Sequence, residues 1–318
     1  MWRAVAVGVL ALLFATVTLF KGGPDDYPSI FGWLWLLSVA WNIQAPPRAH
    51  LRFFRDWSLP LALLMLYFVT RELADNLGMP VYTDYAAKFD VWLGRGDTPS
   101  ARLQGLLCGN PCSPAGDAHW YDRVFILVWM SHFTVGLGLA LYFWLRSRVE
   151  FVKWMRRYIA INAAALVCYV AIPTAPPWMA SMAGRLPSEV VRLGAKAWVG
   201  PRPHGVADPD PLSWAGNAVA AMPSLHAGVA VLVAVYAVQR LRSSWRWLLL
   251  LYPVTMSFAL VYLGEHYVID VLGGALLAGV VLTVCTWWET GVVPGYESLR
   301  MTELPTPGAL LSPGDYPL

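Results

Sequence analysis

Long apolar stretches alternate with short polar and basic segments along most of the chain, and this spacing predicts membrane-spanning helices rather than a soluble core. A spanning helix needs about 20 mainly apolar residues. Eight segments approach that length: Trp2 to Phe20, Tyr27 to Ile43, Trp57 to Thr70, Tyr121 to Leu145, Tyr158 to Pro173, Ala221 to Val238, Trp245 to Leu263 and Val268 to Trp288. The first has a thin charged start and no small-residue cleavage pattern before Lys21, so it reads as an anchor rather than a signal peptide. The expected fold is an all-α integral membrane protein of about eight transmembrane helices. The last six form the catalytic bundle and the first two an appended hairpin. Three regions follow: 1–56, the N-terminal hairpin and its cytoplasmic loop; 57–290, the catalytic membrane domain; and 291–318, a Pro- and Gly-rich flexible cytoplasmic tail.

Composition strengthens this picture. Hydrophobic residues make up 57% of 318 and charged residues 14%, far below the roughly 25% charge of soluble domains. A net charge of +3 with no basic stripe argues against a nucleic-acid partner, and the 17 Trp and 14 Tyr suit interfacial aromatic belts. Basic loops orient the chain, because Lys and Arg are retained on the cytoplasmic side. Arg48, Arg52 and Arg55 fall in one loop, Arg146, Arg148, Lys153, Arg156 and Arg157 in another, and Arg240, Arg242 and Arg246 in a third. They occupy alternate loops. Both termini are therefore expected in the cytoplasm, two long loops at about 71–120 and 174–220 outside, and the protein in the plasma membrane. Cys108 and Cys112 flank the turn Gly109-Asn110-Pro111 in the first outer loop, where a disulfide would persist. Cys168 and Cys285 read as packing.

Two strings carry the candidate chemistry. Ala221-Met222-Pro223-Ser224-Leu225-His226-Ala227-Gly228 and Glu265-His266-Tyr267-Val268-Ile269-Asp270 each sit at the mouth of an apolar segment, where ionisable side chains are costly and usually functional. Both open on the expected outer side. Ser224 can cap a helix, leaving the backbone donors of Leu225 and His226 to face an anion such as a phosphate. His266 and Asp270 are four residues apart and share a face if the helix already begins there. Asp270 can then hold one ring nitrogen and leave the other free to attack, with His226 opposite to protonate a leaving oxygen. The cluster Pro173-Thr174-Ala175-Pro176-Pro177-Trp178 must end a helix. It either sets the outer rim of the site or is an ordinary helix exit.

These strings resemble the type 2 phosphatidic acid phosphatase superfamily, and within it the branch that contains inositol phosphorylceramide synthases. Pro223-Ser224-Leu225-His226 matches the family's second motif, and the His266-to-Asp270 spacing matches the third. Leu225, the His266-Tyr267 pair and the proline cluster resemble the synthase branch, and the likeness covers roughly Leu59 to Trp288. The resemblance implies a six-helix membrane domain, catalysis without metal or other cofactor, and a phosphohistidine intermediate. It makes His266 the nucleophile, Asp270 its orienter and His226 the general acid. The implied substrate is a lipid phosphate or phospholipid, with a polyol or lipid alcohol as a possible acceptor.

Two departures matter. The Ser-Arg pair of the family's phosphatases is Ala259-Leu260 here, and their Lys-to-Arg-Pro motif survives only as Lys196 with Arg202-Pro203, one residue short. Other cations must balance the phosphate, whose equatorial oxygens carry charge throughout transfer. Arg71 is the first choice, against snorkelling to headgroups. Lys196 and Arg202 come next, and Arg185 and Arg192 read as solvated loop residues. His132 reads as a helix-to-helix hydrogen bond in preference to a catalytic group, and Glu265 could tune the nucleophile or meet a substrate hydroxyl. Two further functions stay open. A transporter with a His/Asp proton relay would place its polar residues near the bilayer midplane, and a zinc hydrolase would use His226, His266 and Asp270 as ligands and lose activity to a chelator.

Overall fold

The computed structural model describes residues 2–21, 27–74, 79–113, 118–194 and 219–292. Its regular structure is helical. Isolated bridges of Thr174 with Tyr82 and with Ala220 are the exceptions among the described residues. The helices are α1 (Trp2–Lys21), α2 (Tyr27–Trp41), α3 (Pro47–Ala74), α4 (Asp84–Leu93), α5 (Pro99–Leu107), α6 (Trp120–Met130), α7 (His132–Arg146), α8 (Arg148–Ala171), α9 (Pro177–Met182), α10 (Leu225–Arg240), α11 (Leu251–Tyr262) and α12 (Val268–Trp287). A 3-10 turn, Ser244–Leu250, leads into α11.

Among the described residues, Pro47–Arg71, Ser244–Tyr262 and Val268–Gly291 are each long and apolar enough to cross a membrane, and α6 with α7 makes a fourth candidate bent by 52°. α12 shows why. Leu272, Leu276, Val280 and Val284 recur every fourth residue and are exposed, whereas Gly274, Ala278 and Val281 are buried. One face suits lipid and the other packs against protein. In a bilayer, helices gain little by hiding apolar surface from each other, so small residues that permit close approach decide which faces meet.

α10 packs most extensively against α12 and also contacts α7, α8 and α11. A methyl group on Gly274 would overlap the Ser224 carbonyl oxygen and sit 3.1 Å from the Gly228 nitrogen, and one on Gly228 would lie 3.0 Å from the Gly274 carbonyl oxygen. These paired glycines let α10 and α12 touch backbone to backbone near their N-termini. Around them, Ile161, Ala165, Leu232 and Tyr236 are buried in a core that also holds Phe53, Trp57 and Trp154.

Several basic residues expected in loops belong to helices. Arg48, Arg52 and Arg55 lie on the first turns of α3, and Arg148, Lys153, Arg156 and Arg157 on those of α8. Cations at a helix N-terminus oppose its dipole, and ion pairs offset this here. Arg157, 2% exposed, donates to Glu289 at 2.6 and 2.8 Å and to the Thr286 hydroxyl at 3.1 Å. Arg240 pairs with Glu150, and Arg148 with Asp56. The start of α8 thus meets the ends of α10 and α12. Its far end reaches the start of α10, where the Tyr169 hydroxyl donates to the Pro223 carbonyl (3.0 Å).

The segment expected as one span, Tyr121 to Leu145, is broken at Ser131. The Ser131 hydroxyl donates to the Val128 carbonyl (2.6 Å) and pairs with the Tyr252 hydroxyl of α11 (2.8 Å), anchoring the bend. The segment between α3 and α6 contains α4, α5 and a Cys108–Cys112 disulfide. The tail beyond 292 lies outside the described residues.

Candidate active site

The site forms where the N-termini of α10 and α12 meet. Pro223 ends the incoming strand-like segment and Ser224 caps α10, its hydroxyl accepting from the Ala227 amide (3.4 Å). The Ser224 amide donates to the Asp270 carbonyl (2.9 Å), which locks the two helix starts together.

α12 begins at Val268, two residues after His266, so the expected shared helical face is replaced by a capping turn. The His266 amide donates to the Leu260 carbonyl (3.3 Å) at the end of α11. Asp270, fully buried, turns back so that Oδ2 accepts from the Tyr267 amide (2.8 Å) and lies 3.6 Å from Nδ1 of His266. His266 is 6% exposed.

His226 stands across from it, with ring centroids 5.7 Å apart. Trp129 stacks on the His226 ring (5.6 Å, 14°). His132, the first residue after the bend, approaches the same ring at 4.2 Å and is 9% exposed, and its buried Nδ1 meets no hydrogen-bond partner among the described residues. From the sequence alone His132 reads as a helix-to-helix hydrogen bond. The bend at Ser131, which turns α7 toward α10, has no proline to announce it. Arg71, from the last turn of α3, lies within electrostatic reach of both His132 and His226 and hydrogen-bonds the Tyr67 hydroxyl.

The other candidate cations are placed differently. Arg185 is exposed. Arg192 donates to Glu265 (2.8 Å) and lies over the Trp178 ring (5.0 Å). Lys196 and Arg202 lie outside the described residues. Ala259 and Leu260, which stand in place of the Ser-Arg pair, are fully buried in the apolar cluster beneath the site. Among the described residues, no three His, Cys, Asp or Glu side chains converge in a metal-holding arrangement.

Two buried polar residues that drew no notice in the sequence hold this geometry. Gln104 of α5 donates to the carbonyls of Val191 (2.8 Å) and Tyr262 (2.9 Å) and accepts from the Val191 amide (3.0 Å), strapping the 190–193 segment over the turn before His266. Gly264 makes that turn possible, with φ +77° and the Val191 carbonyl where a methyl group would go. Asp90 of α4 accepts from the amides of Val268 (2.9 Å) and Ile269 (3.4 Å). Its signal was an acidic residue on an apolar stripe with Ala86 and Ala87.

The sequence model of the PAP2 superfamily matches residues 117–284, which include His132, His226, His266 and Asp270. The chain belongs to the PAP2 superfamily. Two curated relatives of this PAP2 protein carry synthase names. It is 30% identical over 180 residues to the phosphoinositol dihydroceramide synthase of Bacteroides thetaiotaomicron, covering 52% of the chain and 56% of the relative. It is 29% identical over 135 residues to the catalytic subunit of inositol phosphorylceramide synthase of Schizosaccharomyces pombe, covering 39% of the chain and 30% of the relative. The chain thus spans about half the length of the first and under a third of the second. No solved structure matches it significantly. It is a member of the PAP2 superfamily, similar over part of their length to proteins of the inositol phosphorylceramide synthase branch. Arg71, Asp90 and Gln104 fall before the matched residues.

Proposed function

We propose that this PAP2 enzyme transfers a phosphoryl-linked group from a lipid phosphate or phosphodiester to water or an alcohol through a phosphohistidine at His266. The observation that carries this is the opposition of His226 and His266, 5.7 Å between centroids, with Asp270 fixed behind His266. In the first step Nε2 of His266 attacks phosphorus, and the bond to the lipid oxygen breaks with its electron pair on that oxygen. His226, as imidazolium, gives the oxygen its proton. Asp270 stabilises the positive ring of His266 through the Nδ1 side. In the second step neutral His226 takes the proton of the acceptor hydroxyl as its oxygen attacks phosphorus, and the nitrogen–phosphorus bond returns its electrons to His266.

Arg71 balances the equatorial oxygens in this scheme, with Ser224 and Leu225 at the start of α10 lining the phosphate and Lys196 and Arg202 as further cations. His132 is the proton partner of His226: its ring approaches His226 at 4.2 Å, as Asp270 approaches His266 from behind. No metal takes part in either step.

The relatives' names favour head-group transfer to a lipid alcohol or polyol over simple hydrolysis. The same proposal takes the chain as eight spans, with a hairpin at 1–56, a six-helix catalytic unit at 57–290 and a cytoplasmic tail at 291–318. The histidines then open on the extracytoplasmic side of the plasma membrane. Labelling of cysteines placed at Gly205 and Ser243 checks this orientation, since an impermeant reagent should reach the first alone in intact cells.

Purified protein incubated with lipid phosphates and phospholipids, with and without inositol or other polyols, tests the activity. The expected result is a new phospholipid or free phosphate from at least one donor. Neither product from any donor would refute the proposal.

A further inference from the structure

We propose that Asp90, on an extramembrane helix distant in sequence from the histidines, is a positioning residue that clamps the start of α12, the helix that follows His266, and thereby sets the attack geometry of His266. It builds on the phosphotransfer function proposed above. The first amides of any helix lack intrahelical partners and are normally met by a Ser, Thr, Asp or Asn immediately before it. α12 has Tyr267 at that place. Asp270 reaches back to the Tyr267 amide (2.8 Å), and Asp90 meets the next two from outside, with Oδ2 on the Val268 amide (2.9 Å) and Oδ1 on the Ile269 amide (3.4 Å). One carboxylate from α4 thus pins two successive peptide units directly beside His266.

Asp90 is fully buried, and α4 packs against α12 and α5. The start of α12 presents Asp270 and, just before it, the Tyr267 hydroxyl, which has no hydrogen-bond partner among the described residues. On α5 the charged residue is Arg102, which is exposed and donates to the Arg95 carbonyl (3.4 Å). On α4 itself Lys88 pairs with Asp84 at the surface. No cation faces Asp90 among these groups. Burial pushes the Asp90 carboxyl up to about 6 from an ordinary 3.8, against the pull of the two amide donors and with the like charge of Asp270 adding to the rise.

The sign of the resulting pH dependence separates positioning from mere support. A carboxyl raised in the folded state adds stability that is complete below 3.8 and is lost as pH rises through about 6. Acidification from pH 7 to 5 should therefore make this group stabilise the fold. Over the same interval a protonated Asp90 accepts more weakly from Val268 and Ile269, the clamp loosens, and turnover falls. Stability and activity move in opposite directions.

The test uses full-length protein in detergent, dioctanoyl phosphatidic acid as probe, and the variants Asp90→Asn and Asp90→Ala. Asn keeps an acceptor oxygen and the volume, so it should fold and lose about tenfold in kcat, with Ala losing about a hundredfold, as misplaced reacting groups do. KM should hold in both, and the fall of kcat near pH 6 should be absent in Asp90→Asn. Hydrogen exchange at the amides of 267–270 should quicken in both variants. Unchanged exchange there would overturn the clamp, and quickened exchange with unchanged kcat and pH profile would overturn the positioning role. Exchange needs no substrate, so a wild type inactive on every lipid refutes the proposed function and not the clamp.

Discussion

The contact between α10 and α12 carries both opposed histidines, and a single methyl group placed in it should separate them. Alanine at Gly274 would overlap the Ser224 carbonyl oxygen and bring its Cβ to 3.0 Å from the Ser224 carbonyl carbon and 3.1 Å from the Gly228 nitrogen. All three atoms are backbone, so no side chain can swing aside. Relief requires the helix starts to part by about 1 Å, a displacement of reacting groups that can cost about a hundredfold in rate. Overpacking of this kind costs about 1–3 kcal/mol of stability, which leaves a membrane bundle folded. The same strain opposes the Ser224-to-Asp270 hydrogen bond (2.9 Å) that aligns the two helix starts. The assay is kcat for short-chain lipid phosphate in detergent, with helix content and thermal midpoint measured alongside. Gly279→Ala, on the same helix with nothing within 4 Å of its added methyl, is the control and should match wild type. A folded Gly274→Ala protein with near-wild-type kcat would refute the claim that this backbone contact sets the distance between His226 and His266.

Three other outcomes follow from the site. Arg71→Ala should lower turnover by at least about a hundredfold with the fold intact, as loss of one preorganised charge partner commonly does; near-wild-type rates would shift the burden to Lys196 and Arg202. His132→Gln should slow turnover of an alkyl phosphate by at least about tenfold, less than the loss caused by removing a general acid itself. An aryl phosphate that departs without a proton should be spared, and equal losses on both would show His132 to be structural. Activity should survive EDTA, because a histidine nucleophile and cationic binders take the place of a metal; loss restored by zinc would favour the hydrolase alternative.

What could be read from the sequence was local. Pro223-Ser224-Leu225-His226 and the His266-to-Asp270 spacing are short-range patterns, and each places its groups through a few peptide units. The apolar segments likewise fall largely on helices, with a break at Ser131 and a 3-10 turn before α11, because hydrophobicity along a stretch is a local property. What escaped notice depends on partners far apart in the chain. Asp90 meets Val268 across 178 positions, and Gln104 meets Tyr262 across 158. Neither residue has a neighbour in sequence that hints at its partner. The approach of His132 to His226 depends on the break at Ser131, which rests on a hydroxyl bonded to Val128 and to Tyr252 of another helix. Arg156 and Arg157 read as loop residues because basic side chains mark cytoplasmic loops, whereas they lie well inside α8 and pair with Glu289, more than 130 positions away.

Trapping the phosphoenzyme tests the assignment of His266 as nucleophile most directly. Wild type, His266→Ala and His226→Ala are each mixed with a ³²P-labelled activated aryl phosphate for a single turnover, quenched and assayed for acid-labile, base-stable label. His266→Ala should carry no label. His226→Ala should retain part of the wild-type label, since a good leaving group needs no proton from it. A labelled His266→Ala protein beside an unlabelled His226→Ala one would contradict the assignment and make His226 the residue that carries the phosphoryl group.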